Sequence, residues 1–171
     1  MKKLNNKGFT LVELLAVIVV LAIVMGLAVV AITGVLDNAR KATFVADAKQ
    51  FLEGARNLVN SADMDSMLTG GSSSTYLITC NSGTGAKNNV DITLDQIPLQ
   101  QGGKKSPYGN TYAATSKIHV AAAYKDATNK TDCQFTYTIF LSDGVYAIGT
   151  ASSLKEWNSI TVDDVKPLAG S

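Results

Sequence analysis

The sequence predicts an α+β protein in which one long N-terminal helix carries an antiparallel sheet packed on its second half. Three observations predict it. Residues 14–36 form a run of 23 residues without a charge. After that run, apolar residues recur at spacings of three and four as far as residue 62, the mark of an amphipathic helix. Beyond the polar cluster Thr69-Gly70-Gly71-Ser72-Ser73-Ser74 the pattern changes to alternation with period two, the mark of strands. The expected organisation is therefore a short basic segment over 1–8, an apolar helix over 9–36, its amphipathic continuation over 37–62, and a globular sheet domain with loops over 63–171.

The apolar run comes first. Twenty-three residues make a helix of roughly 35 Å, enough to cross the ~30 Å hydrocarbon core of a bilayer. A secretory signal peptide has a shorter apolar stretch that ends at a small-residue cleavage site; here the basic, glycine-ended segment precedes a longer run. Lys2, Lys3 and Lys7 place the N-terminus in the cytoplasm and the remainder outside by the positive-inside rule.

The helix continues through Phe44, Ala48, Phe51, Leu52, Ala55, Leu58, Val59 and Ala62, with Asp47, Lys49, Gln50, Glu53, Arg56 and Asn57 between them. No proline occurs before Pro98, so one helix is expected from about Thr10 to Ser61, roughly 80 Å long if straight. Gly26, Gly34 and Gly54 each weaken its interior by about 1 kcal/mol relative to alanine. Gly26 and Gly34 read either as close-packing or bending points or as tolerated residues.

Tyr76–Cys80 reads as a strand and Val90–Leu94 as a shorter one. The stronger strand signals follow. Ile118, Val120, Ala122 and Tyr124 alternate with Lys117, His119, Ala121 and Ala123, and Cys133, Phe135, Tyr137, Ile139 and Leu141 share one face. Ser142-Asp143-Gly144 supplies a turn, with Val145–Ile148 returning as a hairpin. A sheet of three to five strands is expected, with a helical turn at Leu154–Trp157. Residues 81–89 and 100–112 read as exposed loops suited to contacts.

The whole chain carries a formal charge of +1. Without residues 1–8 it has 12 basic and 14 acidic side chains, so no basic surface argues for nucleic acid; Lys104-Lys105 is at most a weak local patch. His119 is the only histidine and falls on the polar face of its strand. Asp63 with Asp65, Asp126 with Asp132, and Asp163 with Asp164 lack the spacing of a calcium loop, and no Cys/His cluster has zinc spacing. No catalytic constellation, cofactor motif or metal site is legible. Cys80 and Cys133, the only cysteines, admit two readings: a disulfide formed in an oxidising compartment, or two separate buried thiols.

Lys7-Gly8-Phe9-Thr10-Leu11-Val12-Glu13-Leu14-Leu15 at the head of the apolar run resembles the processing site of type IV prepilins. The resemblance covers about residues 7–36. It implies cleavage between Gly8 and Phe9 by a prepilin peptidase, N-methylation of the new Phe9 terminus, and a ladle-shaped subunit whose first helical half projects from the globular part. It implies that Glu13 and Phe9 guide subunit docking. The partners it implies are further copies of the chain in a helical homopolymer, the peptidase/methyltransferase, an assembly platform with its ATPase, and the cytoplasmic membrane before assembly. Such a protein is a structural subunit rather than an enzyme. It is a membrane precursor first and part of an extracellular pilus afterwards, serving adhesion, motility or DNA uptake. Major pilins, minor pilins and the pseudopilins of secretion or competence systems share the motif, which fixes the class and not the member. Outside the class stands an unprocessed, membrane-anchored extracytoplasmic binding domain. Two features depart from the family: Val30 stands where many members carry a proline, and a Cys80–Cys133 bridge would span the middle of the domain rather than staple its C-terminal region.

Glu13 also stands out on physical grounds. A carboxylate in an apolar run costs roughly 2.5–3.5 kcal/mol to insert. One reading is that it snorkels to the membrane surface. The other is that it meets the amine of Phe9 in a neighbouring subunit, where a wrong axial offset would leave both charges unpaired and so set register.

Overall fold

The computed structural model describes residues 10–69, 75–80, 87–98, 104–126 and 128–168. A single helix, α1 (Leu11–Thr69), is followed by strands β1 (Asn89–Thr93), β2 (Lys117–Asp126), β3 (Thr131–Ser142), β4 (Tyr146–Ile148), β5 (Lys155–Glu156) and β6 (Val165–Pro167). The chain forms two compact units with their boundary after Ala39.

In the first unit α1 contains one stretch long and apolar enough to cross a membrane, and none of that stretch is buried within the chain. Each described large apolar side chain from Leu11 to Leu36 is between 47% and 80% exposed. Among the described residues a Cβ placed on Gly26 or Gly34 would meet nothing within 4 Å.

In the second unit the stripe on α1 is covered. Phe44, Ala48, Phe51, Leu52, Ala55 and Val59 belong to one core cluster with residues of the sheet. The sheet is antiparallel throughout, in the order β1-β2-β3-β4-β6, with β5 paired to β3. Register explains the core. Ile92 lies opposite Ile118, and Ile118 opposite Ile139, forming a cross-strand row of β-branched side chains that are all 0% exposed. Such rows are the unit of sheet stabilisation. One residue along, Asp91 faces His119 and His119 faces Thr138 on the opposite face.

Gly54 has a specific reason to be glycine. A Cβ there would collide with Cγ2 of Ile97, and Ile97 is itself buried. The connection from Lys104 to Ser116 is tied to the end of β3. Ser116, fully buried, accepts from the Ser142 N–H at 3.0 Å and donates to the Ser142 carbonyl at 3.2 Å.

Several expectations are corrected. The helix runs to Thr69 rather than Ser61, because Ala62, Met64 and Leu68 favour helix and no glycine or proline lies between residues 62 and 69. Tyr76–Cys80 is not a strand: it is a turn with one bridge, Ile78 to Lys87. Leu77 and Ile78 are both buried, whereas adjacent strand residues point to opposite faces. Among the described residues the sheet has six strands rather than three to five, since β5 and β6 are too short to show alternation. Leu154–Trp157 is not a helical turn; Lys155 and Glu156 pair with β3, and a 3-10 turn follows at Trp157–Ser159. Val145 lies in the hairpin loop, and β4 starts at Tyr146.

Candidate functional site

The N-terminal segment was expected to carry the processing and docking residues. Gly8 and Phe9 lie outside the described residues. Thr10 and Glu13 are described, and they form a reciprocal cap. Glu13 Oε2 accepts from the Thr10 backbone N–H and from its hydroxyl, both at 2.9 Å, and Thr10 Oγ1 accepts from the Glu13 N–H at 3.3 Å. This arrangement satisfies donors that a helix start leaves without partners. The sequence pattern Thr-x-x-Glu signals such a box, and it went unused in reading the sequence. The cap holds the carboxylate at the head of the apolar helix.

Cys80 and Cys133 are joined by a disulfide, with 5.7 Å between their Cα atoms. It connects the segment after α1 to the first part of β3.

The remaining polar groups serve the fold. His119 Nδ1 lies 2.6 Å from Asp91 Oδ1, and Lys117 Nζ donates to Asp91 Oδ2 at 2.9 Å. The Lys117 bond, opposed by partial burial and aided by His119, holds the Asp91 carboxyl below the usual carboxylate range. Asp126 accepts from the N–H groups of Thr128 and Asn129 and from the Asn129 amide, which stabilises a turn. Asp164 accepts from Lys155 at 2.7 Å and from Thr161. Lys104 pairs with Asp95, which offsets part of the Lys104-Lys105 patch. Among the described residues no group of three or more His, Cys, Asp or Glu side chains is placed to hold a metal ion.

Two buried polar links lock the second unit. Asp143 is 5% exposed. Its carboxylate accepts from the Ser106 hydroxyl at 2.6 Å and from the Val145 and Tyr146 N–H groups at 2.9 and 2.7 Å. Burial pushes the Asp143 carboxyl up, but these bonds and one from Asn110 together hold it below its ordinary value. The Tyr112 hydroxyl donates to Asp47 Oδ2 at 2.6 Å, while its ring packs edge-on against Phe44 and Phe51. Burial raises the Asp47 carboxyl, an effect that the Tyr112 bond opposes without cancelling.

Residues 3–29 match the family model for the prokaryotic N-terminal methylation motif, the signature of type IV prepilins. No curated protein and no solved structure matched the chain. The chain thus carries a prepilin-type signature that runs into its long helix, with an antiparallel sheet after it, an α+β arrangement like that of a pilin.

Proposed function

We propose, from the prepilin signature at residues 3–29, that the chain is the precursor of a subunit of a type IV pilus-like filament. A peptidase cuts between Gly8 and Phe9, the new terminus is methylated, and the mature chain polymerises through its N-terminal helix. Before assembly the helix spans the cytoplasmic membrane, with the Lys2, Lys3 and Lys7 side in the cytoplasm and the sheet domain outside. The Cys80–Cys133 bridge suits that oxidising side.

One observation supports this reading most: the large apolar side chains from Leu11 to Leu36, most of them within the signature, are 47% to 80% exposed. Covering a Val, Leu or Ile side chain fully is worth about 1.5–3 kcal/mol, so this surface needs lipid or other copies of the helix around it. Both surroundings are dry, and moving from one to the other leaves the hydrophobic term nearly unchanged. Gly26 and Gly34, where a Cβ would meet nothing among the described residues, supply places for neighbouring helices to approach closely. Glu13 would exchange its Thr10 bonds for the Phe9 amine of a neighbour, which favours one axial offset over others.

The test is N-terminal mass spectrometry of protein in filaments sheared from native cells. A peptide beginning at methylated Phe9 in that fraction is the expected result. Processed protein confined to membranes would point instead to a rare minor pilin or a pseudopilin. An intact Met1 form, with no filaments, would overturn both and leave a membrane-anchored domain.

A further inference from the structure

The outer end of the β2–β3 ribbon stands apart from the core. On β2 the buried pattern stops at Ala122, and on β3 the core cluster begins at Ile139, with Tyr137 packed against it. None of residues 123–126 and 128–136 is buried. β1 pairs with β2 only as far as Ala121, and β5 meets β3 only at Thr138 and Ile139. Beyond these points the sheet is two strands wide. A two-stranded ribbon with no core beneath it is marginally stable in water.

The disulfide anchors this ribbon. Cys133 is exposed near its outer end and is joined to half-buried Cys80, which packs against the core cluster two residues after buried Ile78. Next to the bridge the ladder is broken. Tyr124 pairs with Cys133 and Asp126 with Thr131, while Lys125 and Asp132 between them do not pair. Asp132 has φ 53° and Lys130 φ 51°, a left-handed backbone that residues with a Cβ adopt only at a cost. The ribbon is thus held in a conformation that its own backbone bonds support poorly, and the bridge supplies the tie to the core.

We propose that the Cys80–Cys133 bridge is a redox-operated clasp: an external dithiol reduces it in the folded protein, and the ribbon over 123–134 comes free while the sheet beneath stays folded. Exposed disulfides are the labile ones. A thiolate of the dithiol attacks Sγ of exposed Cys133, forming a mixed disulfide and releasing the Cys80 thiolate, which takes up a proton. The second thiol of the dithiol then loses its proton and closes an internal disulfide, releasing Cys133 as the thiolate that is protonated in turn. Two electrons pass from the dithiol to the cystine, and no other reactant is needed. The row Ile92, Ile118 and Ile139 lies on the core side of Ala122 and does not depend on the bridge.

Reduction through the folded state and reduction through global unfolding differ in their response to urea. The full chain in zwitterionic detergent micelles would be treated with dithiothreitol, quenched with iodoacetamide and weighed by mass spectrometry. The rate is expected to rise in proportion to dithiothreitol and to change less than about two-fold in urea below the unfolding transition. A rate that climbs with urea at the slope of global unfolding would overturn the proposal. Hydrogen exchange of the reduced protein should show protection lost over 123–134 and kept over 44–59, 117–122 and 137–142. Unchanged protection in the ribbon, or protection lost throughout, would each overturn it. The double variant Cys80→Ser with Cys133→Ser should reproduce the exchange pattern of the reduced protein without any reductant; a fully protected ribbon in that variant would overturn the proposal as well. None of these readouts depends on cleavage or assembly, so the filament reading can fail without affecting them.

Discussion

Tyr112 and Asp47 join the loop before β2 to the middle of α1 through a 2.6 Å hydrogen bond from phenol to carboxylate. Tyr112 is 6% exposed, and burial first, then the Asp47 carboxylate, raise its phenol far above the ordinary value. It therefore remains a donor at every pH the protein meets. Tyr112→Phe keeps both ring contacts and removes only this donor. The expected cost is about 1–3 kcal/mol, as for a partly buried acceptor left unsatisfied, read as a lower urea midpoint with unchanged m. Because burial raises the Asp47 carboxyl in the folded state, its ionisation lowers stability as pH rises from about 4. The gap between Tyr112→Phe and the parent should widen over that range. A gap constant from pH 3 to pH 7 would show that the bond does not act on the charged carboxylate.

Asp143 has the opposite sign. Its folded carboxyl titrates below the ordinary range, so its contribution is fully present above about pH 4 and is lost as pH falls through the lower folded value. Asp143→Ala removes the partners of Ser106, Val145 and Tyr146 together and is expected to cost about 3 kcal/mol. Asp143→Asn should be less stable than the parent at pH 7 and approach it near pH 2. Thermal melts across that range decide the matter.

At residue 54 the intrinsic preference and the packing conflict. Gly54→Ala gains about 1 kcal/mol of helix propensity, yet the new methyl meets Ile97 Cγ2 in a filled core. Overpacking of this kind typically costs about 1–3 kcal/mol, so the variant should melt lower than the parent. Ile97→Ala removes the colliding carbon, and the double variant should lose less stability than the two single losses summed. Strict additivity would show that the clash is relieved elsewhere.

Closing a loop of 53 residues between Cys80 and Cys133 contributes about 4 kcal/mol in the chain-entropy argument. A Cys133→Ser variant should lower the urea midpoint, and a reductant should lower the parent's midpoint to the same value. A reductant without effect would mean that the bridge is not formed in the sample.

Glu13→Ala is expected to leave cleavage after Gly8 largely intact while reducing filament yield, and Gly8→Val is expected to block cleavage. Both follow from the proposed processing and docking roles. Immunoblots of whole cells and of sheared filaments separate the two effects. A normal yield from Glu13→Ala would remove Glu13 from docking.

The stripe from Phe44 to Ala62 was legible because its burial has helical period, and the alternation from Ile118 to Leu141 was legible because that sheet covers its core from one side. Tyr76–Cys80 misled for the converse reason: five β-prone residues carry no information about whether a strand lies beside them. β5 and β6, with two and three residues, are defined by pairing with distant strands, which leaves no local trace. Gly54 looked like a weakness in the helix until Ile97, 43 positions later in the sequence, was placed against it. At the N-terminus the Thr10-x-x-Glu13 spacing does carry a local signal, because both partners of the cap lie within one helical turn.

Val165, in the last strand, belongs to the same core cluster as Phe44 on the helix, and this sets the order of events during synthesis. The helix can form as soon as its residues leave the ribosome, since all its backbone bonds are local. Its stripe from Phe44 to Val59, however, waits for strands that begin only at Asn89, and Val165 in β6 is one of the core residues it waits for. A chain stopped short of Val165 would therefore hold a finished helix over an unfinished floor.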